Sequence, residues 1–264
     1  MNPLRAVMIQ MAAGPEPEEN LSRVAKWVAA CSPADLILLP EMFACRCGPD
    51  RMRILAEPLD GPMLRSIGEL ARANRTWMLA GSIPEKNAGG LPYNTSALFG
   101  RDGRLVAAYR KTHLFEVRLK DGARVREAEW YTPGSSPTLA ELDGWSAGLS
   151  ICFDLRFPAL YGGYAALGAH LLLVPSDFTR ETGRAHWHAL LRARAIENQC
   201  FVAAPNQCGT HPETGVVSFG HSLAVGPWGE TLAEGNERDE GPIPFVLDPA
   251  RLDDVRSRLP MPRP

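Results

Sequence analysis

Ten short apolar segments recur along the chain, and several lack the polar–apolar alternation of a sheet with one face in water. They are RAVMIQM, DLILLP, TWMLAGSIP, NTSALF, RLVAAYRK, SAGLSIC, HLLLVPS, CFVAAPN, HSLAVG and IPFVLD. Strands of this kind are buried on both faces, which requires helices or a second sheet against them. Helical patterns fall between them, near 18–30, 61–74, 157–168 and 184–198, the last predicted to start after Gly183. KNAGGLP, RDGR, TPGSSP and GPWGE mark loops. With no internal repeat and no linker, the pattern predicts one α/β domain over residues 1–264.

The apolar fraction, 45%, is ample for a core, and a net charge of −2 offers no electrostatic reason for a nucleic-acid or anionic-membrane partner. No apolar run approaches the ~20 residues that span a bilayer. The opening MNPLRAVMIQMAAG reads as a first strand rather than a signal peptide. Six cysteines, at 31, 45, 47, 152, 200 and 208, form no disulfide framework expected of a chain this size without an export signal. Cys45-x-Cys47 is not a zinc spacing, and no matching pair follows. The expectation is a cytoplasmic, reduced protein without metal or cofactor.

Chemistry concentrates where three of the strands end. DLILLPEMF carries Glu41 just past its strand, RLVAAYRKTHLF carries Lys111, and SAGLSICFDLRFP carries Cys152 on an abrupt passage from apolar to charged residues. Carboxyl ends of strands in open α/β sheets are where sites assemble. Each residue alone has an ordinary explanation: a turn acid, a surface lysine, a buried cysteine. Together they form a set that nucleophilic catalysis needs. A thiol requires a base, a desolvated glutamate can be that base, and a lysine can stabilise an oxyanion.

The motifs LPEMF, YRKTHLF and ICFDLRFP resemble the glutamate, lysine and cysteine signatures of the nitrilase superfamily of carbon–nitrogen hydrolases. The resemblance runs over nearly the whole chain. PSDFTRETGRAHWHALLRARAIENQCFVAAPNQCG and FGHSLAVGPWGE resemble its Nit branch, which includes deaminated-glutathione amidases and ω-amidases, and ENQC…NQCGTH leans toward the former. The resemblance implies a four-layer α-β-β-α sandwich and a thiol amidase that releases ammonia from small linear carboxylate-bearing amides. It also implies a homodimer or larger homo-oligomer, with the C-terminal tail, about 250–264, at the interface. Catalytic roles follow for Glu41, Lys111 and Cys152, with the Phe153 N–H joining Lys111 in the oxyanion hole. A second glutamate follows the lysine in the family. Glu127, 16 residues after Lys111, takes that place, and Glu129 reads as a solvated loop acid. A nitrilase or carbamoylase would carry the same residues, and a binding protein could keep the fold without turnover.

Two departures stand out: Phe153 where tyrosine is common, with no loss expected because only its backbone N–H is needed, and Arg184 where the branch tends to have proline, which bears on the substrate. Arg156, Arg180 and Arg184 suit planar recognition of a carboxylate, and His186 opens the same helix. For Arg156 the preferred reading is an ion pair with Asp154 or another acid. None of the histidines has a recognisable orienting acid beside it in the sequence, so structural roles are expected for them.

Overall fold

The computed structural model describes residues 1–118 and 124–261. The strands are β1 (Leu4–Gln10), β2 (Leu36–Leu38), β3 (Trp77–Glu85), β4 (Tyr93–Phe99), β5 (Leu105–Arg110), β6 (Glu116–Arg118), β7 (Arg124–Arg126), β8 (Thr138–Leu142), β9 (Trp145–Leu149), β10 (Leu171–Leu173), β11 (Phe201–Ala204), β12 (Leu223–Val225), β13 (Thr231–Glu234) and β14 (Gly241–Leu247). The helices are α1 (Pro17–Ala30), α2 (Pro49–Leu55), α3 (Pro62–Asn74), α4 (Pro158–Ala166), α5 (Arg180–Asn198) and α6 (Pro249–Arg258).

Two six-stranded sheets result, in the orders β14-β1-β2-β3-β4-β5 and β13-β12-β11-β10-β9-β8, with β6 and β7 as a separate hairpin. Each has a parallel centre, β1-β2-β3 in one and β9-β10-β11 in the other, flanked by antiparallel strands. The period-two pleat explains the layers. On β1, Leu4, Ala6 and Met8 join an apolar cluster containing Leu38, Leu79, Leu149 and Leu173, the space between the sheets. The intervening Val7 and Ile9 join Val24 and Val28 of α1 and Leu64 and Ile67 of α3 on the opposite face. Helix α5 packs on β11 and β12 of the second sheet, and α4 packs on α5 and, through Tyr164, on β9. This is the α-β-β-α sandwich.

All ten predicted strands form. The helix expected from Gly183 starts earlier, at Arg180, because Thr179 caps it: its Oγ1 accepts from Thr182 N at 3.4 Å. Gly183 lies inside the helix because its face meets Phe219, where a Cβ would stand 2.3 Å from Cγ. Ile196 of this amphipathic helix is exposed. Among the described residues no helix is long and apolar enough to cross a membrane. The last three residues of the tail lie outside the described residues.

Candidate active site

Glu41 follows β2 in a tight loop that β3 approaches closely. A Cβ at Gly81 would stand 1.8 Å from the Pro40 carbonyl oxygen, so only glycine allows the approach. Ser82 Oγ accepts from Met42 N at 3.0 Å and holds the loop. Lys111 follows β5, with its N–H on Asn94 O at 2.9 Å and its carbonyl accepting from Gly134 N at 2.8 Å. Cys152 follows β9 in a 3₁₀ turn, Cys152–Arg156, with φ +47°. That left-handed conformation is uncommon outside glycine and is held by its surroundings. Cys152 N donates to Pro175 O at 2.9 Å, tying the elbow to the end of β10. Asp154, fully buried, accepts from Ile151 N at 2.9 Å, Tyr109 Oη at 2.8 Å and His113 N at 3.0 Å.

The strand ends converge. Lys111 Nζ lies 2.9 Å from Glu41 Oε1 and 2.9 Å from Glu127 Oε2. Asn94 Nδ2 donates to the same two acids, at 2.9 Å to Glu41 Oε1 and 3.1 Å to Glu127 Oε1. Asp177 N, just past β10 in the other sheet, donates to Glu41 Oε2 at 2.9 Å. Glu127 sits on a 3₁₀ turn, Glu127–Glu129, and its Oε2 accepts from Phe115 N at 2.6 Å. Glu41 and the Asp177 backbone are among the groups that bear electrostatically on the Cys152 thiol. The side chains of Glu41, Asn94, Lys111, Glu127 and Cys152 are all buried.

Two carboxyls facing one ammonium out of water set the protonation. Burial pushes Glu41 above the ordinary carboxylate value; Lys111 opposes the rise and Glu127 adds to it. Burial also pushes the Cys152 thiol well up, with Glu41 reinforcing and Lys111 opposing. For Lys111, burial works against the charge, but Glu127 and Glu41 hold it well above the ordinary lysine value. A permanent cation thus stands beside a thiol and a carboxyl that both retain a proton readily. Thiol-to-carboxylate transfer between neighbours of this kind is general-base activation of a nucleophile.

These residues floor a pocket of about 200 Å³. Its walls include Phe115, Phe153, Phe178, Trp130, Tyr131 and Arg156. The Phe153 N–H, the first donor of the 3₁₀ turn after Cys152, has no acceptor among the described residues. Arg156 does not pair with Asp154 as expected, because Asp154 is turned inward and taken up by Tyr109, Thr112 and His113. Its guanidinium lies over the rings of Phe153 and Phe178, 5.7 and 5.3 Å from their centroids. Among the described residues it has no carboxylate partner. Arg180 and Arg184 stand elsewhere: both bind Glu237, at 3.2 and 3.3 Å, and neither lines the pocket. His186 is exposed and reaches the site only through Nδ1, 3.3 Å from Arg156 Nη1. Thr179 and Thr182 from the same region line the pocket instead.

Three expectations need correction or addition. His113 has an orienting acid, Asp154, at 2.7 Å, and His188 and His221 share Glu234. Cys47 lines the pocket. Asn94 was missed, although an asparagine within an apolar strand is the available signal. Its Oδ1 is buried at the pocket without a partner among the described residues.

The two facing sheets and the Glu–Lys–Cys cluster at their strand ends define a hydrolase of the α-β-β-α class. The chain belongs to the carbon–nitrogen hydrolase family, whose model matches residues 5–257, and it is an enzyme acting on amides. It is 35% identical to the omega-amidase NIT2 of Homo sapiens over 99% of this chain and 94% of that one. It is 34% identical to the deaminated glutathione amidase of Yersinia enterocolitica, over 99% and 92%. The crystal structure of Saccharomyces cerevisiae Nit3, a member of branch 10 of the nitrilase superfamily, superposes with a TM-score of 0.89 at 30% identity, covering 98% of this chain and 95% of that one.

Proposed function

We propose that the protein hydrolyses the terminal amide of a short linear substrate with a carboxylate at its far end, through a thioester on Cys152. Glu41 takes the thiol proton and the sulfur attacks the amide carbonyl. Lys111 Nζ and the Phe153 N–H receive the oxyanion, where one donor contributes typically 10²–10³ in rate. Glu41 returns the proton to the departing nitrogen, ammonia leaves, and the acyl group stays on sulfur. Glu41 then deprotonates water, which attacks the thioester; the acid product leaves and the thiol regains its proton. Glu127 and Asn94 hold Lys111 and Glu41 in register throughout, and the Asn94 Oδ1 is available to the substrate amide N–H.

Arg156 carries the substrate reading. It lines the pocket wall four residues after the nucleophile on the same 3₁₀ turn, seated on two aromatic rings and lacking a carboxylate partner among the described residues. A desolvated guanidinium recognises a carboxylate by two parallel hydrogen bonds. Substrates of this shape are 2-oxo-dicarboxylate monoamides and deaminated glutathione, in keeping with the names of both relatives. The test compares kcat/KM for 2-oxoglutaramate, deaminated glutathione and a neutral amide of matched length, in the unaltered enzyme and in Arg156→Met. The acids should lead by roughly 100-fold, on the scale of a charge-assisted hydrogen bond, and the lead should vanish in the variant mainly through KM. An undiminished acid preference in Arg156→Met sinks the carboxylate role.

The same reading takes the enzyme as a cytoplasmic homodimer, in keeping with six free thiols. Support comes from exposed Ile196, Trp228, Leu259 and Met261, gathered from α5, the turn at 228 and the end of α6. Arg258 lies 4.9 Å over the Trp228 ring. Sedimentation velocity of the chain and of Trp228→Asp tests it: a dimer should dissociate in the variant.

A further inference from the structure

A second constellation of chemical groups lies outside the pocket. His188 of α5, His221 of the segment before β12, and Glu234 at the end of β13 meet with their ligand atoms all within 4.8 Å of one another. His188 Nε2 and His221 Nδ1 both stand 2.8 Å from the same oxygen, Glu234 Oε1. None of the three lines the pocket. We propose that they form a three-ligand site for a divalent transition-metal ion of the zinc type, distinct from the catalytic centre.

The donor set fits the ion. Two imidazoles and one carboxylate suit zinc and its neighbours, whereas calcium and magnesium prefer oxygen alone. Tetrahedral zinc at ~2.0–2.1 Å from each ligand separates ligand atoms by roughly 3.3 Å. Two of the present separations are 2.8 Å and the third lies within 4.8 Å, so side-chain adjustments suffice. The three groups are each about one-quarter to one-third exposed, at 31%, 25% and 31% of the side chain, which leaves the fourth position to water.

The site is also held in place. His221 has φ +49°, an unusual conformation for a side-chain-bearing residue. Its N–H donates to Asn236 O at 3.0 Å, and its carbonyl accepts from Trp187 Nε1 at 2.7 Å. Phe219 packs on both imidazoles: it stacks on His221 at 4.4 Å and meets His188 edge-on at 6.0 Å. An apolar shell that fixes ring orientation supports ligation. The nearest cations along α5 are engaged elsewhere, Arg184 with Glu237 and Arg192 with Thr231 Oγ1. A bound ion would join α5 to β12 and β13. The metal-free expectation rested on local cysteine and histidine spacings, which carry no information about residues from three separate elements.

The test is titration of the full chain with Co²⁺ and Zn²⁺ in a Cys152→Ala background, which removes the catalytic thiol as a competing ligand. One Co²⁺ per chain is expected, with visible bands of tetrahedral nitrogen–oxygen ligation and no thiolate charge-transfer band. Zinc at a hundredfold excess over Kd should raise Tm by roughly 5 °C. His188→Gln, His221→Asn and Glu234→Gln, with native circular dichroism, should each weaken Co²⁺ binding at least ~100-fold, since even outer-shell changes can cost that much. Absence of stoichiometric uptake, a thiolate band, or binding that survives the histidine substitutions overturns the proposal.

Discussion

Strand β2 has a carboxylate at each end, and the two behave in opposite ways. Asp35, before the strand, accepts from Arg5 N at 3.0 Å, Arg5 Nε at 3.0 Å and Arg101 Nη2 at 3.2 Å. Glu41, beyond it, accepts from Asn94 Nδ2, Lys111 Nζ and Asp177 N, each at 2.9 Å. Their close donor sets are similar, yet the Arg5 hydrogen bond draws Asp35 down to about 2 while burial drives Glu41 up. Donor number therefore does not decide the outcome. Asp35 faces two guanidiniums near solvent, whereas Glu41 is out of water and shares one ammonium with Glu127. Solvent exposure and the local ratio of acids to cations make one end a structural clip and suit the other to the proton-accepting role proposed for it.

The sharpest way to break this contrast is to neutralise each end. Glu41→Gln should lower kcat by about 10³-fold or more, within the range for loss of a general base and its proton return, while Asp35→Asn keeps turnover. Comparable losses in both would show that the strand, not the acid, had been damaged. Steady-state kinetics with circular dichroism as a fold check separates these outcomes.

A smaller loss is expected at the shared cation. Lys111→Arg keeps the charge but replaces a point donor with a planar fork in a space already filled by Glu41, Glu127 and Asn94. Turnover should fall at least ~100-fold, the size of a lost oxyanion donor, with KM changing less because the oxyanion exists only in the transition state. Near-normal kcat would reduce Lys111 to background charge.

The pH profile sharpens the comparison further. Glu41 must be ionised to accept the thiol proton, and its pKa lies above the ordinary 4.5. Activity should therefore be lost, as pH falls, at a higher pH than an ordinary carboxylate would dictate. The limb belongs to the coupled Glu41–Cys152 pair rather than to either residue. Glu127→Gln removes a charge that raises Glu41, so the acid limb of kcat/KM should move toward lower pH even as kcat drops. A limb that stays in place would remove Glu127 from the electrostatic account.

Asp35 gives the smallest effect. Its folded pKa of about 2 lies below the ordinary 3.8, so its contribution to stability is complete above about 3.8 and disappears as pH falls toward about 2. Arg5 is 57% exposed in its side chain, so solvent screening should hold the contribution to about 1 kcal/mol or less. Denaturant unfolding of Asp35→Asn should show a flatter dependence between pH 4 and pH 2 than the unaltered chain, as linkage requires.

The sequence by itself determined ten of the fourteen strands among the described residues and what stands at the ends of three of them, while β6, β7, β8 and β13 carried no apolar run that marked them. Continuous apolar runs admit few alternatives to a buried strand, and a residue one to three positions past a strand has little freedom over where it lies. Glu41, Lys111 and Cys152 were legible for that reason, and the sandwich followed from the motifs around them. What the sequence left open depends on how elements face one another. Arg156, Arg180 and Arg184 are chemically equivalent in the sequence; the inward turn of Asp154 left Arg156 on the pocket wall, and Glu237 captured the other two. The capped start of α5 at Thr179 brought Thr179 and Thr182 to the pocket. Asn94 bridged two acids because β4 lies against the loops that carry them. His188, His221 and Glu234 lie far enough apart in the chain that no local pattern joins them. Side-chain direction and long-range neighbours are set by the packing of α5 and the two sheets as whole bodies, so only the tertiary structure could decide them.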